Sequence, residues 1–330
     1  MAHAIERHWY RLTPISLLLW PLSVFFCTLV TLRRFLYRIG LLRSQKMSVP
    51  VIVVGNITVG GTGKTPLVIW LVRFLRERGF IPGVITRGYH GKNRHWPLLV
   101  TIDTPAAQAG DEAVLLARRA GCPVVAGPDR VAAARLLLKQ GCNLIVSDDG
   151  LQHYRLARDI EICVIDGERR LGNGLCLPAG PLREPPSRLR RVSLCVSHGE
   201  PWPGEWGMYL EAGDFQNLAD PAQRQPASFF TGAVHAVAGI GNPERFFSSL
   251  RRLGLSPMTH AFPDHHDFVP ADLDFADGWP VLMTEKDAVK CETFAPVNYW
   301  MLSVEARPDP RLGDAVVNLL NEKRHGQKTA

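Results

Sequence analysis

The chain has 330 residues and a mass of 36.7 kDa, enough for one large domain or two ordinary ones. Apolar residues make up 46% and charged residues 21%, which excludes a mainly disordered or fibrous protein. Lysine and arginine number 38 against 31 acidic residues, and the net charge of +7 favours an anionic partner: nucleic acid, an acidic membrane surface or a phosphorylated substrate. The seven cysteines include no CxxC pair, which argues against a disulfide framework or a zinc ribbon and is typical of a reducing cytosol.

The first predicted element is a long apolar helix near the N-terminus. No charged residue occurs in the 21 positions from Leu12 to Leu32, and arginines flank them on both sides. At ~1.5 Å per residue, a helix of this length reaches roughly 30 Å, the thickness of a hydrocarbon core. Pro21 would kink the helix, so the helix either crosses the bilayer or inserts as a kinked hairpin or wedge into one leaflet. A third alternative is a buried core helix of a soluble protein. We expect residues 1–46 to form a membrane-associated segment.

The next segment predicts a strand, a phosphate-binding loop and a helix. Val51–Val54 is an apolar, β-branched run typical of a buried parallel strand, and helically spaced leucines follow the loop. The loop residues from 58 to 65 match a P-loop, except that Thr58 stands where the usual pattern has glycine. Its predicted nucleotide-binding residues are Thr58, Val59, Gly60, Gly61, Thr62, Gly63, Lys64 and Thr65. Lys64 is expected to bridge the β- and γ-phosphates and Thr65 to place a hydroxyl on Mg²⁺.

Strands and helices then alternate, which predicts a parallel sheet with helices on both faces. One apolar strand, Leu144–Ser147, leads directly into Asp148 and Asp149. Because the carboxyl ends of parallel strands form one edge of a sheet, these carboxylates are expected beside the P-loop as Mg²⁺ ligands. The alternative is a turn built on Asp–Gly.

Two other polar segments leave alternatives open from the residues alone. Asp111 begins a predicted helix, so spacing favours an N-cap there. The cluster Asp264-His265-His266-Asp267 is compatible with a metal site, a general base or an ordinary loop. The run of arginines between Arg188 and Arg191 is either a phosphate site or a patch facing solvent or lipid.

The composition of the sequence changes near residue 200, where two proline-rich stretches predict linkers. Beyond them we expect a strand before Gly239, a helix through Phe246, strands over 281–287 and 299–304, and a terminal helix. The predicted fold is α/β: a P-loop-containing kinase domain over 47–204 and a smaller C-terminal α/β domain over 205–330 that contributes to the cleft, preceded by the N-terminal membrane-associated helix.

Taken together, the motifs resemble those of the tetraacyldisaccharide 4′-kinase family of the lipid A pathway. The resemblance covers most of the chain and rests on an ordered series of segments, namely Val54–Asn56, Gly60–Pro66, Thr86–Tyr89, Gly110–Glu112, Asp148–His153, Gly180–Glu184, Phe262–His266 and Thr284–Asp287. A P-loop alone is weak evidence for a family. The full series in this order is highly specific.

This resemblance implies transfer of the ATP γ-phosphate to the 4′-hydroxyl of tetraacyldisaccharide 1-phosphate, which yields lipid IVA. It also implies a Mg²⁺ requirement, membrane lipids as partners of the N-terminal segment, and a location at the cytosolic face of the inner membrane. An Asp–His pair is thought to act as base in the family, and the matching residues are Asp111 and His265. This replaces the N-cap interpretation of Asp111, although no spacing argument brings the two residues together.

Further site predictions follow from the chemistry of the substrate. The candidates for binding the 1-phosphate are Arg87, Arg183, Arg188, Arg190 and Arg191, since arginine pairs bidentately with phosphate. Gln152 and His153, from the segment after the two aspartates, complete the predicted substrate site. Two rival functions stay open: a P-loop GTPase or metallochaperone, and a nucleotide-regulated membrane adaptor without lipid kinase activity. A nucleic-acid partner is not expected, because the basic residues are not interleaved with stacking aromatics.

Overall fold

The computed structural model of the chain describes residues 8–328. The helices are α1 Pro14–Arg38, α2 Lys64–Glu77, α3 Ala106–Ala109, α4 Asp111–Arg119, α5 Arg130–Lys139, α6 Pro243–Arg252, α7 Glu285–Cys291 and α8 Leu312–Lys328. The strands are β1 Val51–Gly55, β2 Pro82–Thr86, β3 Leu98–Val100, β4 Val124–Ala126, β5 Leu144–Ser147, β6 Ile160–Asp166, β7 Leu194–His198, β8 Trp206–Asn217, β9 Arg224–Gln225, β10 His235–Ala238, β11 Met258–Ala261, β12 Val281–Thr284 and β13 Tyr299–Pro308.

The described strands form one mostly parallel sheet. Their order is β11-β10-β12-β13-β8-β7-β6-β1-β5-β2-β4-β3, with β9 beside β8. The pairs β13–β8, β3–β4 and β8–β9 are antiparallel, and the other pairs are parallel. The predicted α/β class with a largely parallel sheet is therefore confirmed.

The apolar run of β1 is buried on both faces of the sheet. Ile52 and Val54 pack into one core cluster with Leu67 of α2, whereas Val51 and Val53 pack into a second cluster with Leu137 of α5. Successive residues of a strand point to opposite faces, so a strand covered by helices on both sides must be apolar throughout. β1 lies between β5 and β6, which puts the P-loop at the middle of the sheet's carboxyl edge.

Helix α1 lies on the outside of the protein with its apolar side chains exposed. Its buried residues are the two serines Ser16 and Ser23, while Leu18 is 79% exposed. Ser23 donates a hydrogen bond to the carbonyl of Cys176 (2.7 Å), which fastens the helix to the loop before β7. The helix runs through Pro21 and is long and apolar enough to cross a membrane, by length and composition. This arrangement contradicts the alternative of a buried core helix.

The carboxyl-terminal third contains elements that the sequence pattern did not predict. The 12-residue strand β8 follows the proline-rich segment and joins β7 to β13, so the same sheet continues across residue 204. Segment 281–287 was predicted as a strand, but the strand ends at Thr284 and helix α7 begins at Glu285. Helix α8 packs on the core cluster that contains Leu67. The division into domains at residues 204 and 205 stays a prediction.

Candidate active site

The P-loop connects the end of β1 to the start of α2. Gly60 and Gly63 have φ angles of +101° and +89°, a left-handed conformation that favours glycine and turns the loop around the helix N-terminus. Thr58, the departure from the usual pattern, is buried and pairs in an antiparallel bridge with Leu182. A glycine would lose the side chain that Asn56 contacts at 3.4 Å. Position 58 therefore ties the back of the loop to a neighbouring segment.

The Lys64 ammonium group points back across the loop toward the sheet edge. Its Nζ lies 3.3 Å from Oδ1 of Asn56 and 3.5 Å from Oδ1 of Asp149. Thr65 is the second residue of α2, beside the loop amides. The predicted phosphate-binding lysine and one predicted acidic residue are thus brought together at the carboxyl end of β1.

The adjacent residues Asp148 and Asp149 have opposite electrostatic environments. Burial raises the pKa of Asp149, but the charges of Lys64 and Arg183 outweigh burial and hold its pKa below the usual range. Burial, followed by the negative charge of Glu112, raises the pKa of Asp148 to about 7. Oδ1 of Asp148 is buried and has no hydrogen-bond partner within residues 8–328. Asp148 therefore has a carboxylate oxygen without a hydrogen-bond partner in the described residues, whereas Asp149 forms ion pairs with Lys64 and Arg183.

These residues fit a nucleotide-bound Mg²⁺ ion. A hard cation prefers carboxylate and hydroxyl oxygens, and the orphaned oxygen of Asp148 is a donor of that kind. Thr65 supplies the hydroxyl that a P-loop places on the metal. In the described part of the chain, no group of three or more His, Cys, Asp and Glu side chains is arranged to hold an ion. The few protein ligands are typical of Mg²⁺ bound through substrate phosphates and water.

Asp111 and His265 lie in contact, although 153 residues separate them in the sequence. Nδ1 of His265 is 3.0 Å from Oδ2 and 3.2 Å from Oδ1 of Asp111. Asp111 is buried, yet the hydrogen bond from His265 and the charges of Lys286 and Lys290 outweigh burial and lower its pKa. Gly110, rather than Asp111, occupies the N-cap position of α4. The N-cap interpretation of Asp111 is therefore wrong.

Lys286 fixes which imidazole nitrogen of His265 carries the proton. Its Nζ lies 3.2 Å from Nε2 of His265 and 3.1 Å from Oε1 of Glu112. Burial lowers the pKa of Lys286, but Glu112, Asp111 and Asp264 outweigh it and raise the pKa above the usual range. An ammonium group can only donate, so Nε2 is the acceptor and Nδ1–H donates to Asp111. The pair thus presents its basic nitrogen, Nε2, on the side away from Asp111, where Oδ1 of Asp264 lies 3.8 Å from it.

Neighbouring loops hold the pair in place. Gly110 has φ +88°, and a Cβ there would lie 2.2 Å from the carbonyl oxygen of Tyr89, so only glycine allows this close approach. The backbone N–H of His265 donates to the carbonyl of Gly239, whose own N–H donates to the buried Asp287. Asp287 also accepts a hydrogen bond from the Thr284 hydroxyl (2.7 Å). The Thr284–Asp287 segment therefore supports the loop that carries His265.

The loop after β10 lies between the P-loop and the segment that carries His265. A Cβ on Gly241 would lie 3.2 Å from the backbone nitrogen of Gly61 and 3.2 Å from Oδ2 of Asp264. Asp264 in turn lies 3.5 Å from Lys286. Gly241 therefore connects the tip of the P-loop to the surroundings of the Asp111–His265 pair.

The cluster at residues 264–267 does not converge on one point. His266 contacts Asp272 at 2.9 Å, and the exposed Asp267 lies 3.7 Å from Lys92. Asp264 is directed to Lys286 and His265 to Asp111. Of the three alternatives for this segment, the geometry favours a general base at His265.

Of the predicted substrate residues, Arg183 contacts Asp149, and the others lie on neighbouring segments. Arg183 contacts both carboxylate oxygens of Asp149 (3.1 and 3.2 Å), and Arg87 follows β2 at the same edge. Burial, followed by the charges of Arg130 and Arg87, lowers the pKa of His153 to about 4. The side-chain amide of Gln152 donates to the carbonyl of Asn56 (3.1 Å) and to Glu184 (2.9 Å). Gln152 therefore supports the P-loop, and its role toward substrate stays a prediction.

Three side chains of the site were not assigned a role from the sequence. Lys286 of α7 pairs with Glu112 of α4 and with Asp264 in the loop after β11. Glu112 and Lys286 belong to motifs that were recognised only as segments, and their contacts join residues far apart in the chain. Lys286 and Lys290 lie one helical turn apart on α7, and the charges of both lower the pKa of Asp111. Because the segment was predicted as a strand, this spacing gave no signal in the sequence.

Comparison with known proteins identifies the family. The family model described as tetraacyldisaccharide-1-P 4′-kinase matches residues 15–321. The chain belongs to this family. A tetraacyldisaccharide 4′-kinase of Nitrosococcus oceani is 53% identical over 319 residues, covering 96% of this chain and 94% of the relative. One of Aromatoleum aromaticum is 48% identical over the full length of both chains.

A solved structure extends the similarity to three dimensions. The crystal structure of LpxK from Aquifex aeolicus in complex with ATP aligns with a TM-score of 0.77 at 29% identity, covering 93% of this chain and 99% of that chain. The family match begins in α1 and ends in α8, so the apolar helix belongs to the shared region. The family resemblance predicted from the motifs is therefore confirmed.

Proposed function

We propose that the protein transfers the γ-phosphate of ATP to the 4′-hydroxyl of tetraacyldisaccharide 1-phosphate. The observation that carries this proposal is the Asp111–His265 pair, held at 3.0 Å and joined to the tip of the P-loop through Asp264 and Gly241. A sugar hydroxyl is a weak nucleophile and must lose its proton as it attacks phosphorus. The site combines a phosphate-binding loop with a general base that is oriented by a carboxylate. Phosphoryl transfer to a hydroxyl group requires both.

Each residue has a distinct part in the proposed step. Nε2 of His265 takes the proton of the attacking hydroxyl, and Asp111 stabilises the imidazolium that forms. Lys64 and the loop amides stabilise negative charge on the transferring phosphoryl group. Mg²⁺, held by Asp148 and Thr65, would neutralise charge on the β- and γ-phosphates. Lys286 already donates to Nε2, so it is positioned to exchange this contact for the substrate hydroxyl.

The proposed acceptor is a lipid, and the protein carries a surface suited to one. The exposed apolar side chains of α1 include Leu18, Trp20 and Phe25, which are more than half exposed. A hydrophobic surface of this kind on a monomer is typical of a membrane contact. We infer that the protein lies at the cytosolic face of the inner membrane. The acyl chains of the substrate stay in the leaflet while its headgroup reaches the P-loop. Arg87 and Arg183 are the proposed ligands of its 1-phosphate.

Phosphorylation of the purified acceptor tests the proposal directly. Purified protein is incubated with Mg²⁺, ATP labelled in the γ-phosphate and tetraacyldisaccharide 1-phosphate, and the lipids are separated by chromatography. We expect a labelled lipid, no label on the 4′-deoxy analogue, and no label with Lys64→Ala. The rival membrane adaptor predicts ATP binding or hydrolysis with an unlabelled lipid. Preference for GTP over ATP would favour the GTPase alternative.

A further inference from the structure

A basic cavity lies at the C-terminal end of α1, on a different part of the surface from the phosphate loop. It has a volume of about 710 Å³. Five arginines line it: Arg34 and Arg38 from the last turns of α1, and Arg158, Arg188 and Arg191 from the segments that flank β6. No residue of this cavity takes part in the proposed phosphoryl transfer.

The arginines of this cavity are only partly neutralised. Glu161 lies 3.2 Å from Arg158, and Glu184 lies 3.3 Å from Arg188 and 3.7 Å from Arg34. Five guanidinium groups against these two carboxylates leave an excess of 5 − 2 = +3. The buried Nη1 of Arg34 is the atom that faces Glu184. The cavity therefore has the positive charge to attract an anion.

Two of the five arginines are free to bind a ligand at the cavity rim. Arg38 and Arg191 are exposed, and in the part of the chain that the structure describes neither forms an ion pair. Guanidinium groups in this state can rearrange around an oxyanion without breaking a protein contact. Arginine matches the geometry of phosphate oxygens with two parallel N–H donors.

The position of the cavity indicates where its ligand comes from. Arg34 and Arg38 continue the same helix whose exposed apolar residues would enter the hydrocarbon region. Arginines that directly follow an apolar membrane helix lie at the level of the lipid headgroups. The cavity is therefore next to the phosphates of the surrounding lipids whenever α1 is inserted.

Buried hydrogen bonds separate this cavity from the phosphate loop. Gln152 contacts both the Asn56 carbonyl and Oε1 of the fully buried Glu184. The Tyr154 hydroxyl donates to Oε2 of Glu184 from the cavity side (2.5 Å). The hydrogen-bonded side chains from Asn56 to Tyr154 thus lie between the two sites. This arrangement favours a ligand in the cavity other than the reacting phosphates.

We propose that this cavity binds the headgroup phosphate of an anionic phospholipid and so orients the protein on the membrane. The inference rests on the membrane location proposed above, and it adds a lipid site that is distinct from the acceptor site. An anionic headgroup retains its negative charge in the cavity, whereas a zwitterionic headgroup also brings a cation that the arginines repel.

Vesicle binding by paired variants of the full chain tests the proposal. The cavity variant is Arg38→Gln with Arg191→Gln. The matched control is Arg33→Gln with Arg190→Gln, because these arginines are neighbours in α1 and in the same short segment but do not line the cavity. Each protein is sedimented, without nucleotide, with phosphatidylcholine vesicles and with vesicles that also contain phosphatidylglycerol. The KM for tetraacyldisaccharide 1-phosphate is then measured in neutral detergent micelles.

We expect the control pair to lose up to about thirtyfold in partition onto phosphatidylglycerol-containing vesicles, since each arginine near an anionic surface contributes roughly fivefold. The cavity variant should lose several-fold more, because it also loses direct contacts with the headgroup phosphate, and its KM should be unchanged. Equal losses in the two pairs, or an equal loss on pure phosphatidylcholine, would overturn the proposal. A raised KM with unchanged vesicle binding would also overturn it and assign the cavity to the substrate's own phosphate. Vesicle binding needs no turnover, so its outcome is independent of the kinase proposal.

Discussion

Replacing Asp148 by asparagine is expected to stabilise the protein at alkaline pH while it abolishes phosphoryl transfer. The carboxylate of Asp148 is buried, and its Oδ1 has no hydrogen-bond partner in the described residues. Burial, and then the charge of Glu112, raise its pKa to about 7. An ionised group in this position is favourable for binding a metal but unfavourable for folding of the metal-free protein.

The magnitude follows from the shift in pKa. The folded protein holds the Asp148 proton more tightly than the unfolded chain, in which the pKa is 3.8. Stability therefore falls as the pH rises from about 4 and reaches its lower limit above about 7. At ~1.36 kcal/mol per pH unit, the full shift corresponds to about 4 kcal/mol. Asparagine remains neutral, so the variant should exceed the wild type by up to that amount at pH 8 and by roughly 3 kcal/mol less at pH 5.

Denaturant unfolding with EDTA and without nucleotide, at pH 5 and pH 8, measures this difference. Asp149→Asn is the matched control, because Lys64 and Arg183 outweigh burial and keep the ionised form of Asp149 favourable. That variant should be destabilised at both pH values. An Asp148→Asn variant that is less stable than the wild type at pH 8, or whose advantage is the same at pH 5, would show that ionised Asp148 does not destabilise the fold.

Three further outcomes are expected. Lys64→Ala should reduce phosphoryl transfer by orders of magnitude in a radiolabel assay, because it removes charge stabilisation from the transition state; near-normal turnover would contradict the nucleotide site. His265→Ala and Asp111→Asn should each lower kcat by about 10²–10⁴-fold with little change in the KM for ATP. The double variant should lose little more activity than either single variant; additive losses would show that the two residues act independently. Leu18→Asp with Phe25→Asp, both at exposed positions, should move the protein from the membrane pellet to the soluble fraction without a loss of ATP binding; continued pelleting would argue against α1 as the anchor.

The nucleotide half of the fold was predictable because its signals are local. An apolar strand, a glycine-rich loop and an amphipathic helix are adjacent in the sequence, so periodicity and composition place the P-loop directly. The strand that ends in Asp148 and Asp149 was found in the same way. Which aspartate keeps an open oxygen was not predictable, since the answer depends on Lys64 and Arg183 reaching Asp149 from other elements.

The other half of the site depends on contacts between distant segments. Asp111 lies at the start of α4 and His265 in a loop after β11, and no periodicity relates them. The resemblance to a family named both residues, but it gave no reason for them to meet. The long strand β8 was missed because it includes two glycines and several polar residues that are uncommon in strands, and because it follows a proline-rich turn. Helix α7 was missed because its first turn, Glu285–Asp287, reads as the polar end of a strand.

The position of the transferred phosphate on the lipid distinguishes 4′-kinase activity from the alternatives. Purified protein, Mg²⁺, ATP and tetraacyldisaccharide 1-phosphate are incubated to completion, and the lipid product is analysed by ³¹P NMR with proton correlation. We expect a second phosphomonoester coupled to the proton at C4′, with the 1-phosphate intact and with no product from the His265→Ala and Lys64→Ala double variant. Phosphate on a different hydroxyl, or inorganic phosphate with an unchanged lipid, would show that the protein is not a 4′-kinase.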